Sequence, residues 1–193
     1  MTGRPRTYRR DEALNAAVDL FWRQGYDATS LDDLLRAMKL SKSSFYADFQ
    51  SKEALYRNCL EQYQRFVVDH LRNLQSKSTT LQEFLHLVFQ EVVEDAASSE
   101  PKGCLIVNSA VEFGQHRKEF SEEVRIALDA VQSTFERVIR AGIKDGEISP
   151  EISPKVSAKY LTTCLSGIRA MIKGGMSVKD TKSVVSKVIH SLV

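Results

Sequence analysis

The chain has 193 residues, 42% of them hydrophobic, enough to bury one sizeable core, or a small domain beside a larger one, without metal or disulfide staples. Its net charge of +2 argues against a globally basic polyanion binder, although Arg4, Arg6, Arg9 and Arg10 all precede the first acid, Asp11. Three scattered cysteines with no Cys-x-x-Cys pair, no signal-peptide pattern and a longest apolar run of only Cys104–Val107 exclude a disulfide scaffold and a membrane span, so a soluble cytoplasmic chain is expected.

Strand signals are nearly absent, and Asp145-Gly146, the one hairpin-like dipeptide, has helical flanks. The spacing predicts an all-α protein of about nine helices. Leu14, Ala17, Val18 and Phe21 mark the first, closed by Gly25. Leu31, Leu34, Leu35 and Met38 mark a short second, with Ser30 as N-cap and Asp33 three residues on. Phe45 and Phe49 lie one turn apart on a third, capped by Ser41, and a fourth runs from Ser51 into the polar stretch Gln75–Thr79. The fifth carries Leu81 to Val92, the sixth Cys104 to Phe113, and the seventh Phe120 to Ile139, ending near Gly142 and Gly146. The eighth enters through Pro154 and stops at Gly174-Gly175, and a ninth carries Val184 to Leu192. The expected division is an N-terminal domain over 1–52 and a C-terminal domain over 53–193, connected by the fourth helix.

Two helices of about eight residues joined by a short turn need a neighbour to brace them, and a helix-turn-helix supplies that arrangement. With Phe45 and Phe49 turned to the core, Lys42, Ser43, Ser44 and Tyr46 face outward, with chemistry suited to base edges and phosphates. The helix starts at Thr29-Ser30 and Ser51-Lys52 are placed to hold flanking phosphates. Periodicity alone leaves open a plain bundle of small amphipathic helices with serine caps.

The segment Thr29-Ser30-Leu31-Asp32-Asp33-Leu34, followed by Leu40 through Leu55 with its Tyr46-x-x-Phe49-x-x-Lys52-x-x-Leu55 spacing, resembles the DNA-binding signature of the TetR family of bacterial regulators. Together with Phe21-x-x-x-Gly25-Tyr26-x-x-Thr29 the likeness covers about 35 residues. It implies that Lys42, Ser43 and Ser44 face bases while Thr29, Tyr46 and Lys52 hold phosphates of a double-stranded operator. Two positions depart from the pattern: Lys39 stands where the family usually has a turn glycine, and Asp48 puts a carboxylate where phosphate would be repelled. The N-terminal Arg4 and Arg6, flanking a proline, suit a narrow minor groove by analogy with homeodomain arms, or form a solvated tail that raises affinity without specificity.

One short reading helix offers few base contacts, so a homodimer on a near-palindrome is expected. Leu161, Leu165 and Ile168 on helix eight and Val184, Val185, Val188 and Ile189 on helix nine form stripes that either pair two copies, as the resemblance implies, or bury within one chain. The resemblance further implies a pocket for a small-molecule inducer. Phe84, Phe89, Phe113 and Phe135 are candidate walls with Asn108 and Glu112 as polar anchors, the alternative being ordinary core. Cys104, at the start of helix six beside Lys102, reads either as a thiolate-prone sensor or as a small buried hydrophobe. Gly103-Cys104-Leu105-x-x-Asn108 is similar to a segment of a TetR subgroup whose members include electrophile and oxidant sensors.

An enzyme lacks support, since no HExxH, GxSxG, GxGxxG or P-loop occurs. His70, His86, His116 and His190 have no ligand spacing that recommends a metal, and no cofactor is expected. A helical adaptor binding only protein is the alternative to a DNA-binding repressor. It would leave Lys42, Ser43, Ser44, Tyr46 and Lys52 without a purpose.

Overall fold

The computed structural model describes residues 10–113 and 117–192. Among these the chain is all-α, with α1 (Arg10–Gln24), α2 (Leu31–Met38), α3 (Lys42–Phe49), α4 (Lys52–Lys77), α5 (Leu81–Ala96), α6 (Leu105–Phe113), α7 (Lys118–Lys144), α8 (Pro154–Lys173) and α9 (Val178–His190).

Local chemistry sets the boundaries. Gly25 at φ +83° ends α1, its N–H donating to the Phe21 carbonyl at 2.8 Å. Ser30 and Asp33 form the expected capping box, Ser30 Oγ accepting from the Asp33 N–H at 3.1 Å and the Asp33 carboxylate accepting from the Ser30 N–H. That hydroxyl partnership holds the Asp33 carboxyl below its ordinary pKa. Ser41, Ser51, Thr80, Ser153 and Ser177 cap α3, α4, α5, α8 and α9, each side chain accepting from the backbone N–H three residues on. The ninth helix begins six residues ahead of its apolar stripe, because Ser177 caps it shortly after the Gly174-Gly175 break and its first turn has Val178 alone as an apolar residue, followed by Lys179 and Asp180.

An eight-residue helix depends on its cap more than a long one does. Ser41→Ala is therefore expected to lower stability by ~1 kcal/mol, read as a fall in the thermal midpoint, with the loss of α3 order visible in hydrogen exchange of Ser44.

The 26 residues of α4 make a rod about 39 Å long that packs against α1 at one end and α5, α6 and α7 further along. The buried side chains form one continuous cluster from Ala13 on α1 to Leu192 beyond α9. Helices α1 to α3 and the C-terminal helices thus share a core, and a displacement in one has a mechanical path to the other. Among the described residues no helix is long and apolar enough to cross a membrane.

Candidate DNA-reading head and the cavity behind it

The turn from α2 to α3 puts Lys39 in the left-handed region (φ 55°, ψ 42°). A lysine therefore takes the conformation for which a helix-turn-helix commonly uses glycine. Phe45 and Phe49 anchor α3 in the core, and Arg10 at the start of α1 stacks its guanidinium 5.2 Å from the Phe49 ring. The opposite face is open: Lys42 and Ser43 are exposed, Ser44 is half-buried and Tyr46 is 46% exposed. Ser41 Oγ lies 3.0 and 2.9 Å from the hydroxyls of Ser43 and Ser44, which are thereby gathered at the N-terminal tip of α3.

Two expected phosphate contacts have other partners. Thr29 is fully buried and its hydroxyl donates to the Gly25 carbonyl at 2.6 Å, so it locks the α1–α2 turn and offers nothing to DNA in this conformation. Lys52 directs its ammonium to the face of Tyr26, 4.2 Å from the ring centre, in an array with Asp27, Glu112 and Arg117. Burial lowers its pKa, and the Asp27 and Glu112 carboxylates oppose that shift. Ser30 is exposed but serves its capping box. Arg4 and Arg6 lie outside the described residues.

Behind the head, α6 is fastened to α1 and α4 along its length. Ahead of its first turn, the Lys102 ammonium sits 2.6 Å from Asp19 and over the Trp22 ring, and the Trp22 indole N–H donates to the Gly103 carbonyl at 3.2 Å. The Lys102 and Arg23 bonds outweigh the opposing effect of burial and lower the Asp19 pKa. In the middle of α6, Ser109 Oγ lies 2.7 Å from the Tyr56 hydroxyl of α4. At its end, Glu112 accepts from the Tyr26 and Asp27 backbone N–H groups at 3.0 and 2.7 Å. A Cβ on Gly25 would come within 3.0 Å of that carboxylate, so this glycine answers both to its positive φ and to the close approach of Glu112.

A cavity of about 350 Å³ adjoins this joint, enclosed by α1, α4, α5, α6, α7 and α8. Its wall is mostly apolar and includes Trp22, Tyr63, Phe66 and Leu165, with Cys104 and Arg169 among its polar members and the His70–Glu91 pair, at 2.8 Å, bridging α4 to α5. Of the expected pocket residues, Cys104 is in the wall. Phe84, Phe89, Phe113 and Phe135 are instead packed core, at most 2% exposed. Asn108 turns back to donate to the Lys102 carbonyl, and Glu112 points at the reading head. These are corrections: the four phenylalanines fill the core, and the cavity wall takes other members of the apolar stripes, Val88, Val131 and Leu165 among them. Lys102, expected beside the Cys104 thiol, has its ammonium on Asp19 and over the Trp22 ring. Tyr63 is the sulfur's neighbour, and burial, with Cys104 adding to it, pushes its phenol well up. Burial likewise pushes the Cys59 thiol up, in keeping with a packing role.

The apolar stripes of α8 and α9 are corrected similarly. Leu161, Leu165, Ile168, Val185, Val188 and Ile189 are buried within the chain, and of the seven expected interface residues Val184 alone is exposed, at 38%. The outer face of the pair carries Val156, Tyr160 and Met171.

Trp22 was the detectable signal for the cavity: a large aromatic on α1 just off its Leu14–Phe21 stripe. Glu112 carried no comparable mark, since its two partners are backbone groups 85 and 86 residues away.

A short, phenylalanine-anchored α3 presenting Lys, Ser and Tyr at its tip, braced by α1 and α2, defines a helix-turn-helix protein. The family model of the bacterial regulatory proteins of the tetR family matches residues 13–59, and that of the tetracyclin repressor-like C-terminal domain matches residues 79–180. The chain belongs to the TetR family and is a DNA-binding transcription regulator, not an enzyme. It is 27% identical over 184 residues to the HTH-type transcriptional repressor ComR of Escherichia coli (strain K12), covering 94% of this chain and 88% of that one. Among solved structures, a cysteine mutant of the TetR family transcriptional regulator CifR complexed with 26-bp double-strand operator DNA has a TM-score of 0.88 at 28% identity, over 99% of this chain and 100% of that one. The reduced form of Escherichia coli NemR shares the fold, with a TM-score of 0.87 at 20% identity over 95% and 96% of the two chains.

Proposed function

We propose that this protein is a cytoplasmic homodimeric repressor that leaves a palindromic operator when a small molecule enters the cavity or Cys104 is modified. The observation that carries this reading is Trp22: a residue of the bracing helix of the reading head is also a wall of the cavity, so an occupant touches the DNA-binding unit directly. Residues 1–52 form the DNA-binding unit and 53–193 the regulatory unit, with α4 continuing from one into the other. Lys42, Ser43 and Ser44 read bases, and Tyr46 with the Ser30 and Ser51 helix starts holds phosphates.

The second copy docks on the outer face of α8 and α9, where Val156, Tyr160, Met171 and Val184 stay in water in the single chain. Pairing there sets two reading heads about 34–36 Å apart on one face of the duplex. An occupant that favours another spacing lowers operator affinity by the difference of its own affinities for the two states.

The test is titration of the duplex upstream of the protein's own gene, with salt varied. Binding is expected to fall steeply with salt, Lys42→Ala to weaken it by ~1–3 kcal/mol and relax sequence preference, and N-ethylmaleimide to release the parent but not Cys104→Ser. No salt-dependent duplex binding would overturn the reading in favour of a protein-only adaptor. A monomer at micromolar concentration in sedimentation would remove the dimer.

A further inference from the structure

Among the described residues six positions have positive φ. Four are glycines: Gly25, Gly103, Gly146 and Gly175. The other two are Lys39 at +55° and Gln50 at +63°, and they bracket α3, one in the turn that enters it and one at its C-cap. Lys39 occupies the left-handed helical well. Gln50 (ψ −49°) is the centre of a φ-positive γ-turn, closed by the Ser51 N–H donating to the Phe49 carbonyl at 2.6 Å. Both conformations press Cβ against the backbone, and glycine would hold either at lower cost.

Elsewhere this chain meets that demand with glycine. At the two ends of the reading helix it keeps long polar side chains, and neither earns its place inside the protein. Both are exposed, and neither has an ion pair or side-chain hydrogen bond among the described residues. Backbone strain retained without an internal partner points to an external one. Both side chains stand on the reading head: Lys39 is three residues ahead of Lys42, and Gln50 directly precedes the Ser51 cap of α4.

We propose that Lys39 and Gln50 are DNA-backbone contacts that clamp α3 at both ends, Lys39 by charge on a phosphate and Gln50 by donating its amide N–H to a phosphate or sugar oxygen. The proposal rests on the regulator reading above and adds two contacts that carry no sequence information. It follows that their removal weakens all duplexes alike.

The experiment compares the parent with Lys39→Gly, Lys39→Asn and Gln50→Gly, each titrated against the upstream duplex and a random-sequence duplex of equal length, with salt varied. Thermal midpoints are measured alongside. Lys39→Gly is expected to lose about fivefold to tenfold affinity for both duplexes, and the log–log salt slope to fall by ~0.9 for each protomer bound. Lys39→Asn, which tolerates the left-handed well while losing the charge, should behave alike. Gln50→Gly is expected to lose about threefold on both duplexes with the slope unchanged. None of the three should have a lower midpoint than the parent. Unchanged affinity and slope in Lys39→Gly would overturn the clamp while leaving the regulator reading standing, as would affinity losses that track a lowered midpoint. Failure of the parent to bind either duplex overturns both.

Discussion

Removing the Glu112 carboxylate is expected to disconnect the cavity from the reading head. In Glu112→Ala the Tyr26 and Asp27 N–H groups lose their acceptor, and hydrogen exchange at these two amides should rise at least tenfold while the α5 and α7 cores stay protected. A hydrogen bond to a charged acceptor is worth ~1.5–3 kcal/mol when shielded. Glu112 and Asp27 are both exposed, so ~1–2 kcal/mol for the pair is the reasonable expectation, a fall of a few degrees in midpoint. The functional effect is larger. Lys52 and Arg117 flank Tyr26 from 4.2 and 5.4 Å, and without Glu112 the carboxylate that balances them among the described residues is Asp27, paired with Arg117 at 2.8 Å. The α1–α2 turn then takes positions unrelated to α6. Operator binding by the parent should fall tenfold or more on N-ethylmaleimide treatment, and that ratio should shrink to less than threefold in Glu112→Ala. A full response in the variant, with Tyr26 and Asp27 exchange unchanged, would show that the signal travels through α4 instead.

The helices were legible in the sequence because their signals are local. Ser30, Ser41 and Ser51 announce three starts, Gly25 and Gly174-Gly175 announce stops, and each lies within four residues of the boundary it sets. The outward face of α3 follows from the placement of two phenylalanines one turn apart. What remained hidden is tertiary. Thr29 looks like a phosphate ligand in one dimension, and only packing shows its hydroxyl turned to Gly25. The apolar periodicity that identified α5 and α7 also drew Phe84, Phe89 and Phe135 toward the cavity wall, whereas periodic aromatics are what a core consumes. The stripes of α8 and α9 misled for the same reason. The apolar side chains that α8 leaves in water are instead Val156, Tyr160 and Met171, on the face where they break the polar pattern. Glu112 is the sharpest case, since its partners are amides present in every residue.

Tyr56 is the position at which the two halves of the molecule should fail together. It is fully buried on α4, with Phe21 of α1 at 4.8 Å, Tyr26 of the α1–α2 turn at 4.9 Å, Phe113 of α6 at 5.4 Å and Phe120 of α7 at 5.2 Å, all edge-to-face. Truncation to alanine opens a ring-sized void among four elements and breaks several aromatic pairs. The expected loss is ~3–5 kcal/mol, a large part of the ~5–15 kcal/mol by which such a domain is stable. The midpoint should fall by roughly 10 °C, and DNA binding and cavity occupancy should disappear in one transition. Tyr56→Phe isolates the hydroxyl. Ser109 already donates its own proton to the Leu105 carbonyl at 2.6 Å, so Tyr56 is the donor in the 2.7 Å bond between them, and its removal leaves Ser109 with one partner. That variant should lose only ~1 kcal/mol. Burial pushes the Tyr56 phenol well above its ordinary pKa, so the folded state holds the proton more tightly than the unfolded chain, which releases it near pH ~10. The stability that goes with the bound proton is complete below that pH and is lost as pH rises above it. The gap between parent and Tyr56→Phe is thus expected to be flat from pH 6 to pH 9 and to narrow above about pH 10. Two separate unfolding transitions in Tyr56→Ala, one for the reading head and one for the C-terminal helices, would refute a shared core centred on this ring.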